Sequence, residues 1–222
     1  MMSSRDQVGA ANELPDQPAT RLAWVIQAPT QQELKRRYDL WARCYDADIG
    51  QPEDYLAPLE TAKVAKVHLR PNARILDAGA GTGLSGQALQ GAGFTDLTGL
   101  DFARDMLAAA AAKGIYKETI VADLSQQTAL EDHAFDAVVT VGTTSQIPAE
   151  SLRDYVRVTQ PGGKLIVANW VEAWVERGYA AIQADFERQG RLALIEKGEP
   201  FAALPTTDPE IIYEIWVFEV RR

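Results

Sequence analysis

Three glycines follow an acidic residue in the segment 75–83, which reads ILDAGAGTG. Asp77 comes at the end of an apolar run typical of a strand, and Gly79, Gly81 and Gly83 occupy alternate positions after it. Because glycine has no Cβ, such a backbone can turn sharply and approach a bound molecule closely. Turns between a strand and a helix are where nucleotide-like ligands bind in doubly wound sheets. The spacing therefore predicts a ligand-binding turn, with Asp77 beside a cationic group of the ligand.

The same glycines are compatible with two cofactors. Gly81, Gly83 and Gly86 fit G-x-G-x-x-G, the dinucleotide fingerprint, and Asp101 follows at the distance expected of a ribose-binding acid. A carboxylate is unfavourable beside a pyrophosphate and favourable beside the ammonium group of S-adenosylmethionine. Asp77 therefore favours S-adenosylmethionine, and an NAD(P)-dependent oxidoreductase is the alternative.

The composition is that of an ordinary globular protein. The chain has 222 residues, of which 46% are hydrophobic and 24% charged, enough for one domain with a sizeable core. A formal net charge of −9 disfavours nucleic acid and membrane surfaces as partners. One cysteine, Cys44, excludes an internal disulfide, an iron–sulfur cluster and a cysteine zinc site. We expect a cytoplasmic monomer or homodimer without a metal, a targeting segment or a transmembrane segment.

The chain divides into an N-terminal arm and one domain. Residues 1–29 contain three prolines and no sustained apolar period, so we predict a mobile arm. Residues 30–222 are predicted to form a single domain that begins with two helices over about residues 31–69. The first is predicted at about 31–45 and the second at 53–69, after a break at residues 50–52. Thr30 and Glu33 fit a capping box at the start of the first helix. We expect these two helices to cover the cofactor and the substrate.

After residue 73, predicted strands alternate with amphipathic helices, which is typical of a parallel sheet with crossover connections. A helix is predicted at about 172–189, and no helix is predicted between the last two strands, so these should pair as an antiparallel hairpin. The predicted strands are 73–78, 96–101, 117–122, 135–141, 164–169, 191–196 and 211–220. The predicted fold class is α/β, a Rossmann-like doubly wound seven-stranded sheet with an antiparallel C-terminal hairpin.

Several segments together resemble the class I S-adenosylmethionine-dependent methyltransferases over about residues 31–220. They are residues 75–83, 100–101, 106–107, 122–124, 135–139 and 161–165. Residues 38–41, 45–48 and 92–96 are similar to the small methyltransferase-like proteins named after the Williams–Beuren syndrome region. The resemblance implies a class I methyltransferase fold, S-adenosylmethionine as cofactor, S-adenosylhomocysteine as product, and in-line transfer of a methyl group to the oxygen or nitrogen of a small-molecule acceptor.

The resemblance also implies which residues bind the cofactor. Asp77 would lie near its amino group, Asp101 would accept from the ribose hydroxyls, and Asp123 would accept from the adenine amino group. The alternatives are a helix N-cap for Asp101, which is compatible with ribose binding, and a plain loop acid for Asp123. The full set is Tyr38, Asp77, Ala78, Gly79, Gly81, Gly83, Asp101, Phe102, Met106, Asp123, Leu124 and Val141.

The acceptor should bind at the carboxyl end of the sheet, where ligands bind in open α/β folds. Tyr38 and Tyr45 are expected to face this pocket and Trp41 to lie in the core. Trp170 and Trp174 are four residues apart, so a helix would put both rings on one face, either as an aromatic wall or as packing under the hairpin. The predicted substrate residues are Tyr45, Thr143, Thr144, Asn169, Trp170 and Trp174.

No side chain is predicted to act as a catalytic base. The sulfonium of S-adenosylmethionine is a good leaving group, so alignment of the acceptor supplies most of the catalysis, and a base is needed only for a protonated acceptor. His68 and His133 fall on a helix and in a loop, where neither suits catalysis or metal binding. A methyltransferase-like protein that binds the cofactor without turnover is a further alternative.

Overall fold

Eight strands form one sheet in the computed structural model, which describes residues 13–49 and 54–221. The strands are β1 (Arg74–Ala78), β2 (Asp96–Asp101), β3 (Glu118–Val121), β4 (Phe135–Val141), β5 (Thr159–Trp170), β6 (Leu192–Lys197), β7 (Phe201–Leu204) and β8 (Asp208–Val220). Their order is β3-β2-β1-β4-β5-β8-β6, and β7 pairs with β8 beside this path. The pairs among β1 to β5 are parallel, whereas β8 is antiparallel to β5, β6 and β7.

Nine helices accompany the sheet within the described residues. They are α1 (Pro18–Ile26), α2 (Gln31–Trp41), α3 (Tyr45–Asp48), α4 (Ala57–His68), α5 (Leu84–Gly91), α6 (Arg104–Ala112), α7 (Ser151–Val158), α8 (Val171–Glu176) and α9 (Tyr179–Arg188). Each of these helices is too short or too polar to cross a bilayer.

Both faces of the sheet are buried against hydrophobic cores. Successive side chains of a strand point to opposite faces, so Leu76 and Val138 belong to one core and Ile75 and Val139 to the other. These four side chains are at most 1% exposed. Parallel strands covered on both faces are near-continuously apolar, which is the pattern that marked them in the sequence. The predicted fold class and the antiparallel pairing of β6 with β8 are confirmed.

The predicted number of seven strands is wrong, because β7 was not predicted. This strand has only four residues, and its partner β8 begins at Asp208 rather than at residue 211. Phe201 pairs with Tyr213 and Leu204 with Asp208, so the two strands form a hairpin across a short turn. A strand of this length carries too few alternating residues to be recognised without its partner.

The N-terminal segment differs from the predicted arm, because residues 18–26 form α1. Pro18 occupies the first turn of this helix and Val25 is fully buried. The guanidinium of Arg37 donates to the carbonyl of Trp24, and Arg21 pairs with Asp48 at 2.7 Å. These contacts come from residues distant in the sequence, so a local apolar period does not reveal the helix. The part of the predicted arm over residues 1–12 lies outside the described residues.

The two predicted N-terminal helices differ in detail from those observed. Thr30 accepts a hydrogen bond from the backbone N–H of Glu33, as the capping box requires, and α2 then ends at Trp41. The second helix, α4, begins at Ala57 rather than at residue 53. The predicted break at residues 50–52 and the predicted helix start at residue 53 lie outside the described residues.

The predicted helix 172–189 is two helices, and Trp174 in the first of them packs into the core. Gly178, with φ of 87°, separates α8 from α9. Trp174 is 1% exposed, and its ring lies 4.7 Å from that of Tyr179 and 5.0 Å from that of Trp216. Of the two alternatives for Trp174, the structure supports packing under the C-terminal strands, and the expected role in an acceptor wall is wrong.

Truncating this ring tests its place in the core. We expect Trp174→Ala to lower the free energy of unfolding by about 3–5 kcal/mol, since it removes a large buried side chain. Val175, the next residue of α8, is 69% exposed, so Val175→Ala is the matched control and should change stability by less than about 0.5 kcal/mol. Urea denaturation followed by far-UV circular dichroism measures both. Equal stability of the two variants would contradict the assignment.

Candidate functional site

The loop between β1 and α5 is a glycine turn with an unusual backbone. Gly79, Gly81 and Gly83 have φ of 82°, 53° and 92°, a region that side chains with a Cβ rarely adopt. A Cβ on Gly79 would also lie 2.6 Å from Cγ2 of Thr143, at the end of β4. The backbone N–H of Gly79 donates to the carbonyl of Leu100 at 2.8 Å, which ties the turn to β2.

Asp77 lies directly behind this turn and is fully buried. Its Oδ2 accepts hydrogen bonds from Ser85 Oγ and from the Tyr116 hydroxyl, both at 2.6 Å. Its Oδ1 has no partner among the described residues. Burial raises the pKa of Asp77 to about 6, and the two hydrogen bonds oppose that rise. A buried carboxylate with one unpaired oxygen suits a cationic group on the other side of the turn.

Gly86 has a structural role that explains the third glycine of the dinucleotide fingerprint. A Cβ on Gly86 would lie 2.5 Å from Cζ of Tyr116, and a Cβ on Gly99 would lie 3.2 Å from the same ring. The two glycines therefore leave room for the ring whose hydroxyl reaches Asp77. Gly86 is needed for this packing, so its presence does not require a dinucleotide.

Asp101, at the end of β2, holds the other side of the turn. Its Oδ2 accepts the backbone N–H of Gly81 and its Oδ1 accepts that of Ala103, both at 2.8 Å. Burial raises its pKa to about 6, against these backbone hydrogen bonds. A carboxylate has about four acceptor sites, so two remain for hydroxyl groups of a ligand. The bond to Ala103 at the start of α6 coexists with that function.

A pocket extends from the glycine turn to the space under the N-terminal helices. Its lining includes the carboxylates Asp101 and Asp123 beside the glycines of the turn, and most of the other lining side chains are aliphatic or aromatic. The remaining lining comprises Leu22, Ile26, Leu34, Tyr38, Tyr45, Ile49, Tyr55, Gly79, Gly81, Phe102, Met106, Leu124, Val141, Gly142, Thr143, Ser145, Gln146, Ile147, Trp170, Ala203, Leu204, Ile211 and Tyr213.

Most of the predicted cofactor residues line this pocket. They are Tyr38, Gly79, Gly81, Asp101, Phe102, Met106, Asp123, Leu124 and Val141. Asp77 and Ala78 are fully buried in β1 behind the turn, and Gly83 packs against Ala110 and Tyr116 at the start of α5. These three residues support the turn rather than line the pocket.

The predicted substrate residues are divided. Tyr45, Thr143 and Trp170 line the pocket. Thr144 is 1% exposed and Asn169 is fully buried, and neither belongs to the lining. Because side chains alternate along β5, Asn169 lies on the opposite face of the sheet from Trp170.

Sequence reasoning missed Tyr55 and Tyr213, which line the pocket from the start of α4 and from β8. Both are single aromatic residues without a motif around them. The position of Tyr213 depends on the pairing of β8 with β5, in which Tyr213 lies opposite Trp170. Only the strand alternation of β8 could have indicated the face on which Tyr213 lies.

The N-terminal helices are hydrogen-bonded over the pocket. The Tyr38 hydroxyl donates to Oε1 of Gln146 at 2.7 Å, and Gln31 donates to the carbonyl of the same residue at 2.8 Å. Asp46 accepts from Thr82 in the glycine turn at 2.5 Å and pairs with Lys113 at 2.6 Å. Trp41 is fully buried in the core below them.

The two histidines are engaged elsewhere. His68 Nε2 lies 2.7 Å from a carboxylate oxygen of Glu196, and His133 Nδ1 lies 3.2 Å from the carbonyl oxygen of Thr159. Neither residue lines the pocket described above. The acid–base chemistry of this pocket therefore does not involve histidine.

The fold and the site define a class of protein. Residues 76–167 match the family described as "Methyltransferase domain". Residues 76–167 therefore form a methyltransferase domain, and the chain has the fold of S-adenosylmethionine-dependent methyltransferases. The site fits this cofactor, because the incompletely paired carboxylate of Asp77 lies behind the glycine turn, where its charge attracts an ammonium group, and Asp101 has free acceptor sites for a ribose.

Two proteins with known names are similar in sequence to this chain. Human methyltransferase-like protein 27 is 32% identical over 160 residues, which are 68% of this chain and 63% of that protein. The demethylmenaquinone methyltransferase of Mycolicibacterium vanbaalenii is 34% identical over 139 residues, 62% of this chain and 57% of that enzyme. The chain thus spans less than two thirds of either relative. The first relative fits the Williams–Beuren region group that the sequence resembles.

Solved structures share the fold at low sequence identity. The [4+2]-cyclase SpnF has a TM-score of 0.68 and 17% identity, covering 87% of this chain and 98% of its own. A S-adenosylmethionine-dependent methyltransferase from Methanosarcina mazei has a TM-score of 0.55 and 16% identity, covering 71% and 97%. A TehB-like methyltransferase from Corynebacterium glutamicum has a TM-score of 0.56 and 21% identity, covering 72% and 87%.

The raised pKa of Asp77 predicts that the affinity for the cofactor depends on pH. A carboxyl with a pKa of about 6 loses its charge as the pH falls below that value and then no longer attracts an ammonium group. We expect loss of this charge to lower the affinity for S-adenosylhomocysteine by up to about 10-fold between pH 7.5 and pH 5. Titration calorimetry measures this, and Asp77→Asn should weaken binding at pH 7.5 and reduce the pH dependence.

The control ligand is 5′-methylthioadenosine, which lacks the ammonium group. Its affinity should depend less on pH than that of S-adenosylhomocysteine, because Asp77 has no cation to meet. A parallel fall for both ligands would contradict a role for Asp77 at the amino group.

Proposed function

We propose that this protein transfers a methyl group from S-adenosylmethionine to the oxygen or nitrogen of a small-molecule acceptor. The observation that carries the proposal is the pocket itself, whose wall combines the glycine turn and Asp101 with apolar and tyrosine side chains. Ligand pockets are typically concave, mostly apolar and fitted with a few polar groups. Residues 30–222 would act as one domain, with the N-terminal helices as the cover.

The chain's own residues would bind, orient and exclude water. S-adenosylmethionine supplies an electrophilic methyl group on a sulfonium when it is bound. Asp101 would hold the ribose, Asp123 the adenine, and the glycine turn, next to Thr143, the methionine part. Burial raises the pKa of Tyr213 to about 12 and also raises that of Tyr45, so both hydroxyls stay protonated at neutral pH. An acceptor that is already nucleophilic then needs only alignment, which contributes roughly 7–11 kcal/mol in well-oriented reactions.

The relatives and the charge support a small acceptor. One relative is named for a small molecule, demethylmenaquinone. The net charge of −9 disfavours nucleic acid as the methylated partner. We propose a cytoplasmic enzyme that acts as a monomer or a homodimer and does not bind membranes.

Binding of the cofactor without methyl transfer is a second candidate, and one comparison favours it. SpnF, whose fold is similar to that of this chain, is described as a [4+2]-cyclase. Fold alone therefore does not define the reaction. A dinucleotide-dependent oxidoreductase is less well supported, because Asp77 disfavours a pyrophosphate and Gly86 is explained by the packing of Tyr116.

Thermal denaturation distinguishes the two cofactor classes. A ligand that binds only the native state at about 100 times its Kd stabilises it by about 2.7 kcal/mol. For a domain of this size we expect S-adenosylhomocysteine to raise the Tm by about 5–10 °C. NAD and NADH should leave the Tm unchanged. A shift with NADH and none with S-adenosylhomocysteine would overturn the proposed function.

Asp101 is the residue on which cofactor binding should depend most. We expect Asp101→Asn to weaken S-adenosylhomocysteine binding by about 10-fold or more, since hydrogen bonds to charged groups contribute about 1.5–3 kcal/mol. Asp96→Asn is the matched control, because Asp96 is at the opposite end of β2 and pairs with Lys117. Titration calorimetry gives both affinities. Unchanged binding by Asp101→Asn would show that the ribose lies elsewhere.

Turnover is tested with methyl-labelled cofactor. The protein is incubated with labelled S-adenosylmethionine and with a cell extract separated into small molecules, proteins and nucleic acids. We expect label in the small-molecule fraction, identified by mass spectrometry. Label confined to proteins or nucleic acids would contradict the proposed acceptor class. Binding of the cofactor without label in any fraction would favour the second candidate.

A further inference from the structure

Two tyrosine hydroxyls from distant parts of the chain meet at the end of β4. Gly142 follows β4 with φ of 71°, and a Cβ on it would lie 3.0 Å from the Tyr213 hydroxyl and 3.1 Å from the Tyr55 hydroxyl. Tyr213 belongs to β8 and Tyr55 precedes α4, and all three residues line the pocket. Because Gly142 has no Cβ, the space next to both hydroxyl groups is not filled by a side chain of this residue.

Three other buried tyrosine hydroxyls have a hydrogen-bond partner, whereas those of Tyr55 and Tyr213, which face the pocket, have none among the described residues. Tyr38 donates to Gln146, Tyr116 donates to Asp77, and Tyr179 is bonded to Ser151. Across the part of the chain that the structure describes, no hydrogen bond joins the hydroxyl of Tyr55 or Tyr213 to another group. Polar groups in protein interiors nearly always have a partner, in the protein or in a bound molecule. The pair is therefore free to bind a polar atom of a ligand.

The two tyrosine hydroxyls lie near the glycine turn, where the reacting end of the cofactor would bind. Gly142 is followed by Thr143, whose side chain would contact a Cβ on Gly79 in the glycine turn. The point between the two hydroxyls thus lies beside the turn that binds the methionine part of the cofactor. An acceptor atom there would be near the methyl group.

The surrounding wall selects an uncharged molecule. Of the described residues that line the pocket, the only acids are Asp101 and Asp123, both at the cofactor end, and none is a lysine or an arginine. Aliphatic side chains, among them Leu204 and Ile211, make up much of the rest of the wall. A charged acceptor would lose its hydration here without gaining a counter-charge, which is costly.

We propose that Tyr55 and Tyr213 bind a hydroxyl or carbonyl oxygen of the acceptor, and that this acceptor is an uncharged, mainly apolar molecule. The proposal rests on the proposed function, because it concerns the acceptor end of the same pocket. Burial raises the pKa of both hydroxyls, so each stays a hydrogen-bond donor at neutral pH. They are positioning residues that orient the acceptor.

A pair of probes that differ only in the hydroxyl tests this. The full-length protein is saturated with S-adenosylhomocysteine, and the Kd values of 1-naphthol and of naphthalene are measured by titration calorimetry at pH 7.5. We expect the wild type to prefer 1-naphthol. Tyr55→Phe and Tyr213→Phe should each reduce that preference by about 3- to 10-fold, the loss expected for one hydrogen bond. Naphthalene affinity should not change.

The control variant is Tyr155→Phe, which removes another buried hydroxyl without a partner, on the far side of the sheet. It should retain the preference of the wild type. A wild type without preference, an unchanged preference in both pocket variants, or tighter binding of the charged 1-naphthoate would each overturn the proposal. Binding of S-adenosylhomocysteine by every variant shows that the cofactor site is intact, and loss of that binding in the wild type would count against the proposed function instead.

Discussion

The buried carboxylate of Asp77 is the constraint on which the rest of the site depends. A charge with no exposure to water is costly, and here two hydroxyl groups, from Ser85 and Tyr116, stabilise only one of its oxygens. The Tyr116 ring reaches this position only because Gly86 and Gly99 leave room for it. A single charge at the end of β1 thus explains two glycines and a tyrosine in three other segments. Gly86, the third glycine of the pattern that resembles a dinucleotide fingerprint, is a consequence of this packing.

The sheet topology then determines which segments meet. The carboxyl ends of β1, β2 and β4 lie side by side, which brings the glycine turn, Asp101 and Gly142 to one edge. The reversed strand β8 places Tyr213 at this edge as well, opposite Trp170 of β5. If β8 ran parallel to β5, the C-terminal end of β8 would lie at this edge of the sheet and Tyr213 would lie at the opposite edge. The antiparallel pairing is therefore what brings the C-terminal part of the chain into the pocket.

Features encoded by local pattern were predictable from the sequence, and features made by distant contacts were not. The parallel strands and Asp101 follow from apolar runs and from an acid at a strand end, and both are where the pattern predicts them. The helix α1 depends on contacts with residues outside its own segment, and the short strand β7 is defined only by its pairing with β8. Trp174 and Trp170 illustrate the limit, because helical spacing predicts that the rings share a face. In the structure β5 continues through Trp170, and only Trp174 is in the helix.

The wall of the pocket has two origins in the chain. The glycine turn, Asp101 and Asp123 lie within residues 76–167, which match the methyltransferase domain. Much of the remaining wall comes from α1, α2, Tyr55, β7 and β8, all outside that match. The family match therefore covers most of the residues predicted to bind the methyl donor and leaves out many of the others that line the same pocket. The hydrogen bonds from Thr82 to Asp46 and from Tyr38 to Gln146 join the two parts, so the N-terminal helices are fixed to the glycine turn and to the segment after β4.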